Sequence, residues 1–85
     1  MQVLRIQANP SILEAIRWES NEPEIREFVG NDKNLRFKDT GLEVWNKDSK
    51  TWENCPVFHF VIKGTKGELF TLSPELFEQY YSIVE

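Results

Sequence analysis

The side chains with the most reactive chemistry in this sequence occur singly: one histidine, His59, and one cysteine, Cys55. An imidazole can act as a general base or metal ligand near neutral pH, and a thiolate can act as a nucleophile, but each needs an orienting partner. His59 stands in an apolar run over residues 58–62 that reads as a strand, and no serine, cysteine or acid lies at a spacing that would complete a catalytic set. It is expected to be a structural polar side chain. Cys55 precedes Pro56 and reads as a small, partly buried hydrophobe. Alone it makes no internal disulfide, and with a single histidine it completes no zinc site without carboxylates or a second chain.

The carboxylates Glu22, Glu24 and Glu27 surround one short helical segment. They could form an acidic site, but a solvated helix face accounts for them more simply. Asp32, Asp39 and Asp48 do not follow the spacing of a calcium loop. The residues therefore call for no metal, no cofactor and no enzymatic activity. The turn Lys63-Gly64-Thr65-Lys66-Gly67 offers amides beside two ammonium groups, which makes Lys63, Gly64, Lys66 and Gly67 the best small-anion or nucleotide contact in the chain. It lacks the length and ending of a P-loop, and a lysine-bearing hairpin is the plainer reading.

Aromatic residues make up 13% of the chain, more ring area than an interior this small readily hides. Each of Trp18, Trp45 and Trp52 carries an indole donor that needs a partner when buried. Rings left outside are rigid and amphipathic, the kind of surface that anchors protein interfaces. The expected contact surface is Trp45 and Trp52, flanking a polar turn, with Lys50 and Glu53 as its polar rim. The alternative is that the bulky rings only fill the core.

These residues must be positioned by short elements. Residues 12–18 read as a strand lying near a sheet edge or partly exposed, because Glu14 stands between Ile12 and Ile16, although leucine, alanine and glutamate there also allow a helix. The short segment 1–6 reads as a further strand or as one that pairs with a second copy, set apart by Pro10. Asn21, Pro23 and Glu24 have the spacing of a capping box with proline in the first turn, and Ile25, Phe28 and Val29 share a helical face, so a helix is predicted from 22 to 29, closed by Gly30. Strands are predicted over 35–38, 42–46, 58–62 and 69–72, with a short element around Trp52. Leu42 and Val44 alternate with Glu43 and Trp45, which puts Trp45 on the more polar face. Ser73 and Pro74 cap a last helix, where Leu72 and Phe77 make a staple and Leu76, Phe77, Tyr80, Tyr81 and Val84 supply a stripe expected to complete the core.

Length and charge bound the remainder. A chain of 85 residues makes one domain, and at this size it buries only roughly 60–65% of its unfolded surface. The formal net charge of -4 argues against nonspecific nucleic-acid binding and against an anionic membrane surface. No segment has the length of a membrane span or the pattern of a secretory signal, so a cytoplasm is the default location. The acids are unevenly placed: residues 68–85 carry four glutamates and no lysine or arginine.

Taken together, ILEAIRW, EIREFVG, GLEVWN, VIKGTKGELF and PELFEQYY resemble a family of small bacteriophage and prophage proteins, over much of residues 12–81. Members of that family often carry Gly-Asp-aromatic before the counterpart of VIKG, where this chain has Phe58, His59 and Phe60. The resemblance implies an accessory protein acting in the cytoplasm of the bacterial host, with a host or phage protein as its partner, and supplies no active residues. The expected fold is α+β: a small, curved antiparallel sheet, barrel-like in its most closed form, packed with two short helices. The expected function is noncatalytic binding of a host or phage protein, as an inhibitor or modulator. A small-anion or nucleotide module and a virion assembly component, self-associating through a sheet edge, are the alternatives.

Overall fold

The computed structural model describes residues 3–8, 11–39 and 41–84. The chain runs through β1 (Val3–Ala8), β2 (Ser11–Arg17), α1 (Glu22–Val29), a 3-10 turn (Asp32–Asn34), β3 (Leu35–Lys38), β4 (Gly41–Asn46), β5 (Thr51–Cys55), β6 (Phe60–Lys63), β7 (Leu69–Leu72), α2 (Pro74–Tyr80) and β8 (Ser82–Ile83). The fold is α+β, with two antiparallel sheets: a five-stranded one in the order β7-β6-β2-β1-β8, and a three-stranded one in the order β3-β4-β5. Neither sheet closes into a barrel among the described residues. The split follows from the segment after β5, where Pro56 lacks an amide donor and Phe58 takes a left-handed φ of 73°. That turn sends β6 back to pair with β2 rather than with β5. It also takes His59 out of the expected strand, which begins at Phe60.

β2 lies at the centre of the large sheet, not at an edge. The charge that suggested an edge is accommodated because Glu14 stands opposite Arg5 on β1 and Lys63 on β6. The break expected at Pro10 falls outside the described residues, but the strands on either side of it form and pair.

The large sheet is the middle layer of a stack. On one face Ile16, Val61 and Leu69 pack with Trp18, with Ile25 and Phe28 of α1, and with Leu35, Leu42, Val44 and Cys55 of the small sheet. On the other face Ile6, Ala15, Phe60 and Ile62 pack with Phe77 of α2. Phe77 lies flat on Phe60, with ring centroids 3.9 Å apart.

Both helices start where their sequences place them, by different means. In α2, Ser73 Oγ accepts a hydrogen bond from the Leu76 amide at 3.3 Å. In α1 the capping box does not form. Asn21 turns backward instead: its Oδ1 accepts from the Glu19 amide at 2.7 Å, and its Nδ2 donates to the Arg17 carbonyl at 3.2 Å. The amide of Gly30, at φ 80°, donates to the Arg26 carbonyl and closes the helix. The stripe expected of the last helix is divided, because the chain turns extended at Tyr81. Phe77 is buried and Tyr81 packs at the margin of its cluster, whereas Leu76 and Tyr80 face solvent and Val84 is only half-buried.

Candidate functional site

The three-stranded sheet has a core face and an outer face, and its register decides which side chains share each. Leu42 stands opposite Cys55, and both are fully buried. By alternation the outer face receives Arg36 beside Glu43, and Trp45 beside Trp52. The two indoles meet edge to face, with centroids 5.4 Å apart at 62°. Both are half-buried, and neither belongs to either core cluster. The Arg36 guanidinium lies over the Trp52 ring at 3.9 Å, a cation–π contact that holds the arginine flat. Glu43 Oε1 sits 3.1 Å from Lys38 Nζ and 3.8 Å from Arg36 Nη1, so one carboxylate lies between two cations. That oxygen receives no well-aligned hydrogen bond.

Lys50 stands at the end of this face in the β4–β5 turn, exposed and at φ 57°. Asn46 builds the turn: its Oδ1 accepts from the amides of Asp48 at 3.0 Å and Ser49 at 3.2 Å. The expected surface is corrected at Glu53. Its neighbours across β4 put it on the Val44 side of the sheet, turned away from Trp52. There Glu53 Oε2 accepts from Asn46 Nδ2 at 2.6 Å, and Oε1 accepts from the Thr71 amide at 3.0 Å. Glu53 is thus a clasp between the small sheet and the free edge of β7, not a rim residue. Arg36 and Lys38, which the sequence alone did not single out, take the position beside the tryptophans.

The Lys63–Gly67 turn is a hairpin between β6 and β7, as its glycines indicated. Its amides are used within the turn: Gly64 donates to the Glu68 carbonyl, Gly67 to the Gly64 carbonyl, and Lys66 to Glu68 Oε1 at 3.0 Å. The carboxylate of Glu68 therefore stands where an incoming anion would bind. Lys63 does not converge on the amides either, since its ammonium lies over the Phe28 ring at 4.6 Å. Lys66 is exposed, and its carbonyl accepts from Lys47 Nζ at 2.8 Å, which draws the two hairpin turns together.

Other candidate groups have structural surroundings. Cys55 is fully enclosed, deeper than expected, and burial pushes its thiol up to about 12, so it carries no thiolate near neutral pH. His59 is half-buried, and its backbone pairs with Trp18 and Pro56. Glu22 and Asp32 pair with Arg26 on the exposed side of α1, at 3.2 and 2.8 Å. A hollow of about 330 Å³ is lined by Trp18, Ser20, Lys38, Asp39, Gly41 and Val57. Among the described residues no group of three or more histidine, cysteine or acidic side chains is arranged to hold a metal ion. Comparisons with protein-family models, with curated proteins and with solved structures find no match to this chain.

Proposed function

We propose that this protein is a noncatalytic binding module that engages another protein through the outer face of its small sheet. The observation that carries the reading is the Trp45–Trp52 pair, two large rings packed on each other outside both core clusters. Rings held in this way lose little conformational entropy on docking, and their remaining exposed area sheds water against a partner. Arg36 on Trp52 and Lys38 beside Glu43 supply the polar margin, and Lys50 closes one end. The resemblance to small phage proteins makes a host or phage protein the partner to look for, in the bacterial cytoplasm. The test is partner capture by the wild type and by a folded Trp45→Ala, Trp52→Ala variant. Loss of capture is expected, and equal capture by the two would reject this surface.

A further inference from the structure

The layer stack places two unlike surfaces on opposite sides of the molecule. On one side is the outer face of the small sheet, with Trp45, Trp52, Arg36, Lys38 and Lys50. On the other is the solvent side of α2, where Leu76 and Tyr80, four apart, are 41% and 60% exposed, with the exposed carboxylates Glu75 and Glu78 on the same helix. Charge differs between the two faces. The small-sheet face carries Arg36, Lys38 and Lys50 against Glu43, whereas α2 carries Glu75 and Glu78 and no lysine or arginine.

We propose that the α2 face of one copy docks on the small-sheet face of a second copy, giving a weak head-to-tail assembly. Leu76 and Tyr80 would cover the exposed area of the indoles, while Glu75 and Glu78 reach Arg36, Lys38 or Lys50. The proposal rests on the same tryptophan face as the function proposed above and names one occupant for it. A symmetric dimer through either face alone is disfavoured, because it would set cations against cations or carboxylates against carboxylates. The two faces point away from each other, so neither can be satisfied within one molecule, and the contact repeats instead of closing on a pair. A seven-residue helix offers less than the about 800 Å² per partner of a stable complex, so the association depends on concentration and weakens with salt.

Sedimentation of the wild type at low salt, over rising concentration, should show an average mass that climbs past the dimer without a plateau. Lys38→Glu with Lys50→Glu, which leaves Arg36 on Trp52 and beside Glu43, should weaken assembly roughly tenfold or more, and Glu75→Lys with Glu78→Lys should do the same. The variant carrying all four substitutions should assemble again, because the charges are exchanged rather than lost. Circular dichroism would establish that each variant is folded. A zero-length carbodiimide cross-link in the wild type, between differently labelled copies, should join Lys38 or Lys50 to Glu75 or Glu78, independently of any variant. A strictly monomeric wild type, a plateau at the dimer, assembly unchanged by either reversed pair, or a folded fourfold variant that stays monomeric would overturn the proposal. A monomeric protein whose partner capture still depends on Trp45 and Trp52 would remove this inference alone. Assembly as described, with partner capture unaffected by those tryptophans, would remove only the function proposed above.

Discussion

Glu53 shows how one side chain can join two sheets. Its carboxylate spans Asn46 Nδ2 and the Thr71 amide, bonds that involve an ionised acceptor and exceed neutral ones in strength. Glu53→Ala should cost about 2 kcal/mol in chemical denaturation, since the Thr71 amide is left without its acceptor. Trp52→Ala, on the other face of the same strand, should cost less if the indole serves mainly for binding. The Cys55 thiol makes a different prediction. Burial raises it from 9.0 to about 12, so the folded state keeps a proton that the unfolded state gives up. The contribution is full below about pH 9 and declines as pH rises toward 12. Cys55→Ala should flatten that alkaline slope in stability measured against pH; an unchanged slope would contradict the assignment. Burial raises the Tyr81 hydroxyl as well, and comparing the two proteins separates its share. At neutral pH a disulfide exchange reagent should label Cys55 only after denaturant is added. Glu53 was expected beside Trp52 because the sequence marks only a short element there; in the strand that forms, alternation turns the two neighbours to opposite faces. The role of Arg36 was not legible in the sequence, since it depends on the β3–β4 register that sets Arg36 beside Glu43.

Helix ends supply the clearest predictions for the elements. Ser73→Ala removes the acceptor of the Leu76 amide and should destabilise α2 by about 1 kcal/mol, seen as faster hydrogen exchange at the start of that helix. Gly30→Ala should cost about 1–2 kcal/mol from backbone conformation alone, because no atom lies within 4 Å of the added carbon while φ is 80°. A loss near zero in thermal denaturation would show that the left-handed cap relaxes. The bounds of α1 and β7 follow from spacing and punctuation in the sequence, since these segments are short, periodic and closed by glycine, serine or proline. Asn21 departed from its expected role because the neighbouring Glu19 amide also needed an acceptor. The end of α2 was hidden because Tyr81 and Val84 keep a helical spacing, while the pairing of β8 with β1 draws them into extended backbone. The central place of β2 could not be read from β2 itself, because the cations that neutralise Glu14 lie on two other strands.

At the scale of the whole molecule, two small clusters share one sheet, and the α2 side is the thinner. Phe77→Ala would remove the ring stacked on Phe60 and the buried anchor of α2, with an expected loss of about 3–5 kcal/mol. A domain of 85 residues has a total stability of about 4–13 kcal/mol, so this variant should melt far below the wild type or fail to fold. The α+β class was legible from the change of periodicity along the chain. The division into two sheets was not, because it turns on the backbone at Phe58, a residue type that rarely adopts positive φ. The indole pair also has an optical consequence. Two identical chromophores 5.4 Å apart at 62° exchange excitation, so their far-ultraviolet transitions should split into a couplet of opposite signs in the dichroism spectrum. Replacing either ring by phenylalanine would abolish the splitting, and anything that settles on that face would perturb it, giving the chain an intrinsic signal of occupancy that needs no dye.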